Sequence, residues 1–394
     1  MSKLRILVIS DIHAIIDSAH KEYSHLLLNG SQSEYADGVI SYIKEMNREF
    51  DLLVCAGDIS NVGDEECFDV GLEFIHKVKD ELDIPELLCV PGNHDHKSRP
   101  PYNHNPKITL ENSKLPFPTT CPQKNKYFLK SSWCHIDGGD FGYNAILLNT
   151  SAFHGQGIEH KHGKVGSTTI DEIVNFTQST DYVDKSINIL VCHHHPMKMD
   201  HVDEDVDSES MEGGELLIRR LHEANAGAWL IIHGHKHYPE ITYSSATGRT
   251  PAIIFSAGSL SAQIYSKIES RTSNQFYILE VDLDCSLVEG IPVGTFETYE
   301  RVLSNRWRPS QAKNLPARGG FGSAETAQQV CKKIVDAITD ECPFLEKEEL
   351  QELTESTKNF TPSDFDLLVR LLEQKKLSVE VDNYTISVVG KPYE

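Results

Sequence analysis

The feature that most constrains the fold of this chain is a series of short apolar segments of strand length. Polar or helical sequence separates each segment from the next. Eight such segments occupy the first three quarters of the sequence: Leu4–Ile9, Leu52–Ala56, Leu87–Val90, Ala145–Leu148, Ile189–Cys192, Trp229–Ile232, Ile253–Phe255 and Phe276–Val281. Several are apolar throughout, which is typical of strands that are buried on both faces. Segments such as Val39–Met46 and Leu216–Leu221 carry apolar residues at helical spacing instead. The alternation of the two patterns predicts an α/β architecture.

Polar motifs that could bind metal follow five of the predicted strands. In chain order they are Asp11-Ile12-His13, Gly57-Asp58, Gly92-Asn93-His94-Asp95, His194-His195-Pro196 and Gly234-His235-Lys236-His237. Each motif alone is also typical of a turn or a cap. The carboxyl ends of parallel strands meet at one edge of a sheet, so we expect the five motifs to lie together. Imidazole and oxygen ligands in combination suit Mn, Fe, Zn or a related divalent ion.

As a set, the five motifs resemble those of the calcineurin-like metallophosphoesterase superfamily, in particular its phosphodiesterase branch, which includes the class III cyclic-nucleotide phosphodiesterases. The resemblance covers about residues 4–300 and implies a four-layer α/β/β/α sandwich with two metals at a sheet edge. It implies seven ligands: Asp11, His13 and His237 for the first metal, Asn93, His194 and His235 for the second, and Asp58 as the bridge between them. His194 is preferred to its two histidine neighbours because the family's ligand lies two residues before the proline.

The same resemblance implies the reaction. A hydroxide that bridges the two metals would attack the phosphorus of a phosphodiester in line. His94 would protonate the leaving oxygen or stabilise the transition state, and Asp95 would orient His94 by a hydrogen bond. Mn²⁺ is the ion that we expect first, with Fe, Zn, Mg and Ni left open. The sequence does not identify the residues that bind the substrate.

The charge of the chain limits the size of the substrate. Lys and Arg number 37 against 59 Asp and Glu, for a net charge of −22. This balance argues against long nucleic acids and anionic membranes, which need basic surfaces. Two divalent ions would add about four positive charges at one point, so a small nucleotide-type phosphodiester fits better. A nuclease like the double-strand-break-repair exonucleases, and a partner-binding scaffold built on the phosphoesterase fold, remain alternatives.

Two insertions are expected beside the site. The proline-rich segment Lys97–Phe141 is predicted to be a loop, and its aromatic residues either pack on the domain or stack on a base. The acidic segment Asp200–Glu215 is either a lid over the second metal or an exposed loop. We expect the histidines at 154, 160 and 162 to lie in a solvated loop, and Lys236 to point outward.

Three parts of the chain differ in composition. Residues 1–300 form the predicted metallophosphoesterase domain, 301–322 a basic Pro/Gly linker, and 323–394 a small α+β domain of helices followed by a β-hairpin, in an order like that of a winged helix. This C-terminal unit is the expected contact for a protein partner or a second copy. No segment is apolar enough to span a membrane, and nine cysteines without paired spacing favour a reducing, cytoplasmic compartment.

Overall fold

The computed structural model describes most of the chain. The described residues are 2–17, 21–28, 33–61, 63–98, 105–155, 161–199, 209–224, 226–244, 251–302, 306–312, 315–382 and 384–392. Predictions that concern Tyr102, His160 and residues 200–208 of the acidic segment therefore lie outside the described residues.

Helices and strands alternate along the chain. The helices are α1 (Glu34–Glu45), α2 (Glu65–Glu81), α3 (Ile108–Glu111), α4 (Pro122–Ser131), α5 (Ser167–Thr177), α6 (Gly214–Glu223), α7 (Leu283–Glu289), α8 (Ala327–Ala337), α9 (Lys347–Leu353) and α10 (Pro362–Gln374). The strands are β1 (Lys3–Ile9), β2 (Leu52–Cys55), β3 (Glu86–Cys89), β4 (Trp133–Asp137), β5 (Tyr143–Leu148), β6 (Ile187–Val191), β7 (Trp229–His233), β8 (Glu240–Tyr243), β9 (Ile253–Ser256), β10 (Gln275–Asp282), β11 (Val293–Val302), β12 (Arg306–Pro309), β13 (Arg318–Phe321), β14 (Phe344–Glu346), β15 (Ser378–Asp382) and β16 (Thr385–Gly390). All eight predicted strands are present. Within the described ranges, no helix has the length and apolar character needed to cross a membrane.

Two sheets pack face to face. The first has the order β12-β11-β10-β1-β2-β3, with β13 also paired to β11, and the second has the order β4-β5-β6-β7-β9-β8. Alternate residues of β5 separate the layers: Ala145 and Leu147 join the core between the sheets, whereas Ile146 and Leu148 pack with α5 and α6. Helices α1 and α2 pack against the first sheet. The predicted α/β/β/α sandwich is confirmed.

Parallel pairing brings the predicted site motifs to one edge. In the first sheet, Ile9, Cys55 and Cys89 are paired in register at the ends of β1, β2 and β3. In the second sheet, β6 and β7 run parallel, with Val191 opposite Ile232. The register therefore places three motifs together at the edge of the first sheet and two together at the edge of the second, and the packing of the two sheets brings these edges to one site.

The segment Lys97–Phe141 is more ordered than the predicted loop. It contains α4 and β4. Pro122 occupies the first turn of α4, where its missing N–H costs nothing, so it begins a helix instead of breaking one. The ring of Phe117 lies 5.4 Å from that of Phe68 and 6.0 Å from that of Phe128, so these aromatic residues pack on the domain.

Strands also occupy part of the segment 301–322 that was expected to be a linker. Both β12 and β13 pair with β11 of the first sheet. Trp307 is buried, with its ring 5.1 Å from that of Phe276, and Arg308 Nη2 lies 2.7 Å from a carboxylate oxygen of Glu300. These contacts tie the segment to the sandwich. The division of the chain into domains stays a prediction.

The C-terminal residues form helices α8, α9 and α10 with a three-stranded sheet in the order β14-β16-β15. Their apolar core includes Val330, Ile334, Leu368 and Val389. Helix α10 begins at the predicted position, where the hydroxyl of Thr361 accepts a hydrogen bond from the N–H of Asp364. The likeness to a winged helix stays a prediction.

Candidate metal centre

Most of the predicted ligands lie on strained backbone. The φ angles are 50° at Asp11, 47° at His13, 50° at Asp58, 82° at His235 and 55° at His237. Residues with a Cβ pay roughly 1–2 kcal/mol for this left-handed conformation. Such strain persists only where the surrounding structure enforces it, and it concentrates at functional sites.

Glycines beside the ligands allow a close approach of the chain. A Cβ on Gly92 would lie 2.6 Å from the amide nitrogen of Asp58 and would overlap its Oδ1. A Cβ on Gly234 would overlap Ser10 Oγ and Asp11 Oδ2. The glycines of these motifs therefore make room for the carboxylates.

The first predicted ligand group is assembled in the structure. His237 Nε2 lies 3.3 Å from Asp11 Oδ1, and His13 Nε2 lies 4.0 Å from the same oxygen. The two Nε2 atoms are 3.3 Å apart. All three side chains are buried. Two nitrogens and a carboxylate oxygen thus converge on one point.

Asp58 lies between this group and the second one. Its Oδ2 is 3.4 Å from His13 Nε2 and 3.3 Å from His193 Nε2. Its Oδ1 accepts a hydrogen bond of 2.9 Å from the N–H of His94. One carboxylate oxygen therefore faces imidazoles of both groups, as a bridging ligand requires.

The second group contains the predicted ligands Asn93, His194 and His235, and also His193. His235 Nδ1 lies 3.1 Å from Asn93 Oδ1. Nitrogens of His193, His194 and His235 lie within 4.8 Å of one another. The sequence analysis preferred His194 to its neighbour His193, and the structure brings both rings into this group.

The position of His193 relative to its strand also makes it a candidate ligand, although the proline spacing favours His194. His193 is the second residue after its strand ends at Val191, as Asp11 is after Ile9. In the structure, His193 Nδ1 lies 2.8 Å from the carbonyl of Ala56, whereas His194 Nδ1 lies 2.7 Å from the hydroxyl of Thr150. The Nε2 atoms of both rings are buried; that of His193 lies 3.3 Å from Asp58 Oδ2, whereas that of His194 has no hydrogen-bond partner among the described residues. A ring held at Nδ1 with its Nε2 available is typical of a metal ligand.

Burial keeps most of these imidazoles neutral. It lowers the pKa of His13 to about 3, and it holds the pKa values of His194 and His235 well below their usual range. Burial disfavours charge on His193 too, but the adjacent Asp58 outweighs it and raises the pKa of His193 to about 9. Burial would likewise raise the pKa of Asp58, yet His193 and its neighbours hold that pKa well below normal. Ionised carboxylates beside neutral imidazoles fit divalent cations.

Asp95 braces the turn that carries His94. Its carboxylate accepts hydrogen bonds from the N–H groups of Ile59, Ser60 and Gly92 and from the hydroxyl of Ser60. These four bonds occupy the acceptor positions of both oxygens. Burial and the charge of Asp58 raise the pKa of Asp95 to about 7. The direct hydrogen bond to the His94 ring stays a prediction.

The surroundings of His154 and Lys236, two residues near the site, differ from those predicted. His154 is buried, and its ring stacks on that of His194 at 5.5 Å between centroids, so it is not solvated. Lys236 Nζ lies 3.2 Å from His162 Nδ1. Lys236 is therefore directed toward His162.

Of three comparisons with known proteins, one identifies a family. Residues 4–239 match the family model of the calcineurin-like phosphoesterases. A search of curated proteins finds no match. Among solved structures, a dimetal phosphatase from Danio rerio is 12% identical, with a TM-score of 0.42 over 71% of this chain and 94% of that one. The NAD nucleotidase of Haemophilus influenzae is 13% identical, with a TM-score of 0.37 over 95% of this chain and 60% of that one.

Both TM-scores lie below 0.5, so these two structures do not establish the family of this chain. The family match spans more than half of the chain and includes the motifs of the candidate metal centre. The chain therefore belongs to the calcineurin-like phosphoesterase family, which consists of metal-dependent phosphoester hydrolases that bind two divalent metals.

Proposed function

We propose that this protein is a dinuclear metal-dependent phosphodiesterase that hydrolyses a small nucleotide-type substrate. The observation that carries the proposal is the position of Asp58 Oδ2, 3.4 Å from His13 Nε2 and 3.3 Å from His193 Nε2. One anionic oxygen between two groups of imidazoles is suited to hold two cations close together. The proposed ligands are Asp11, His13 and His237 for the first ion, Asn93, His193, His194 and His235 for the second, and Asp58 for both.

The residues of the centre would set its net charge. Two bound divalent ions supply Lewis acidity and lower the pKa of water towards about 7. Two carboxylates, Asp11 and Asp58, offset only part of the ions' charge, and the neutral amide of Asn93 offsets none. The centre therefore stays positive and attracts a phosphate anion, although the whole chain carries −22.

His94 is proposed to donate the proton to the leaving oxygen. Its ring centroid lies 4.7 Å from that of His13, at the first ligand group. Its backbone N–H is bonded to Asp58 Oδ1, which fixes the residue relative to the proposed bridge. Asp95 anchors the same turn through Gly92. These contacts hold His94 beside the first ligand group, where it would reach a phosphate bound there.

Hydrolysis of bis(p-nitrophenyl) phosphate with Mn²⁺ tests the reaction. We expect Asp58→Ala and His94→Ala to abolish turnover, with His222→Ala on α6 as a control that retains it. Unchanged rates in both site variants would overturn the proposal.

A substrate panel then identifies the substrate and the metal. It covers cyclic nucleotides, monoesters, dinucleotides and long DNA or RNA, each assayed with Mn²⁺, Fe²⁺, Zn²⁺, Mg²⁺ and Ni²⁺.

The two adjacent histidines are tested separately. We expect both His193→Ala and His194→Ala to bind one equivalent of Mn²⁺ less than the wild type, because each leaves an Nε2 ligand out of the second group. If only His194→Ala binds fewer Mn²⁺ ions, the second metal is bound by His194 without His193, as the sequence alone predicted.

We also propose a cytoplasmic location. All nine cysteines are free, which is typical of a reducing compartment.

A further inference from the structure

The two residues that follow β5 lie beside the second ligand group but belong to none of the five motifs. Strand β5 runs parallel to β6, so Asn149 and Thr150 leave the sheet at the same edge as His193 and His194. Both residues are buried. The N–H of Asn149 donates to the carbonyl of Ser132 at 2.8 Å, and the carbonyl of Thr150 accepts from the next segment of chain at 2.9 Å. Their backbone is therefore fixed before any ion binds.

The hydroxyl of Thr150 contacts His194 at two points. Its Oγ1 accepts a hydrogen bond of 3.3 Å from the backbone N–H of His194, and it lies 2.7 Å from Nδ1 of the same residue. A neutral imidazole that binds an ion through Nε2 carries its proton on Nδ1, and Thr150 Oγ1 is then the acceptor for that proton. Thr150 is therefore placed to hold both the backbone and the ring of a proposed ligand.

Asn149 reaches the opposite side of the same group through His96. Its Oδ1 accepts a hydrogen bond of 3.0 Å from the N–H of Ser151, so its Nδ2 is the atom that lies 3.3 Å from His96 Nε2. An amide nitrogen only donates, so His96 Nε2 accepts and the proton of this ring is on Nδ1. That Nδ1 donates at 3.0 Å to the carbonyl of Gly92, the residue before Asn93.

The two series of hydrogen bonds end at ligands that come from different sheets. Asn93 follows β3 of the first sheet, whereas His194 follows β6 of the second. Asn149 and Thr150 are adjacent in sequence, so one buried dipeptide is bonded toward both ligands. Side chains that fix the ligands of a metal in this way set the geometry that the ion meets.

We propose that Asn149 and Thr150 are positioning residues for the second metal, Thr150 through His194 and Asn149 through His96 and the turn that carries Asn93. The inference rests on the proposed function, which supplies the second ion. It adds a sixth strand end to the site, and neither residue is itself a ligand. The alternative role, in which both residues only stabilise the fold, predicts no selective effect on one of the two ions.

Calorimetric titration with Mn²⁺ tests Thr150 against two close replacements. Thr150→Val keeps the shape of the side chain and removes the hydroxyl, so we expect it to weaken the binding of one of the two ions by about 10- to 100-fold. Thr150→Ser keeps the hydroxyl and should retain the wild-type affinities. Equal weakening of both ions in Thr150→Val, or the same loss in Thr150→Ser, would show a structural role and overturn the proposal.

Asn149→Leu is matched by Asn144→Leu on β5. Asn144 is also buried, and its Nδ2 donates to the carbonyl of Val183 near the start of the strand. Both variants lose a buried amide and should lose stability, but only Asn149→Leu should also weaken the binding of one ion, by about 10-fold. If circular dichroism shows Asn149→Leu to be unfolded, His96→Asn takes its place with the same expectation, because its amide still donates to Gly92 and loses only the contact with Asn149. An equal loss of Mn²⁺ affinity in Asn144→Leu would refute the role of Asn149.

These titrations separate the inference from the proposed reaction because they need no substrate. Selective weakening of one ion in Thr150→Val, in a protein whose wild type hydrolyses no diester, would refute the phosphodiesterase function and leave the positioning role standing. Hydrolysis of a diester by the wild type, with unchanged Mn²⁺ affinities in Thr150→Val and Asn149→Leu, would overturn the inference and leave the proposed function standing.

Discussion

Replacement of Gly57 by alanine should disturb the second metal through a single methyl group. Gly57 has a φ of +100°, and a Cβ there would lie 2.5 Å from Nδ1 and 2.8 Å from Cγ of His193. The left-handed backbone costs a residue with a Cβ roughly 1–2 kcal/mol. Crowding of a buried side chain adds about 1–3 kcal/mol. We therefore expect the free energy of unfolding to fall by about 2–5 kcal/mol.

Two other glycines separate these contributions. Gly290 has a φ of +67° and nothing within 4 Å of its Cβ position, so Gly290→Ala should cost only the backbone strain, roughly 1–2 kcal/mol. Gly92 has a φ of −101°, but its Cβ would overlap Asp58 Oδ1. Gly92→Ala should therefore lack the backbone strain and displace the proposed bridge.

Urea unfolding of the metal-free variants measures the stability loss, and calorimetric titration with Mn²⁺ measures the ions bound. Gly57→Ala should lose more stability than Gly290→Ala and should bind fewer than two ions, whereas Gly290→Ala should bind two. Equal stability losses with full metal binding in both variants would refute the reasoning about His193.

Two further predictions concern buried charge. Burial lowers the pKa of His13 and His96 to about 3 and that of His233 to about 4, so below pH 6.5 the unfolded chain binds more protons than the folded one. In the metal-free protein each such histidine should lower the free energy of unfolding on acidification by up to about 1.4 kcal/mol per pH unit. The raised pKa values of His193 and Asp95 act in the opposite direction but are outnumbered, because the pKa values of His194, His195 and His235 are lowered as well. The urea midpoint should therefore fall from pH 7.5 to pH 5.5, and equal midpoints would contradict this. Asp95→Asn places an amide N–H against backbone donors and should cost about 3 kcal/mol of stability, as two hydrogen bonds to a charged group are lost. It should also lower turnover of bis(p-nitrophenyl) phosphate, and wild-type values for both quantities would exclude the bracing role.

The strand ends could be predicted because local sequence determines them. Segments such as Leu52–Cys55 are apolar on both faces, and only a strand between two layers buries both faces. Parallel pairing of β1, β2 and β3 then places the polar residues that follow them, such as Asp58, at the same edge of the first sheet. This reasoning needed no knowledge of tertiary contacts.

Other features depend on contacts that the sequence does not display. The segment 301–322 resembled a linker because it is basic, contains no acidic residue and carries two prolines and a Gly-Gly pair. Its strands are held in place because Arg308 of β12 pairs with Glu300 of β11 and Trp307 enters the core. The addition of His193 to the proposed ligands likewise depended on its distance to Asp58, which proline spacing does not fix.

Electron paramagnetic resonance of the protein loaded with Mn²⁺ tests the central claim that Asp58 bridges two ions. The geometry of Asp58 Oδ2 predicts two bound ions with an exchange-coupled spectrum. Asp58→Ala, once shown by circular dichroism to be folded, should lose the coupling. Two equivalents of uncoupled Mn²⁺ in the wild type, or a coupled pair that survives in Asp58→Ala, would contradict the account.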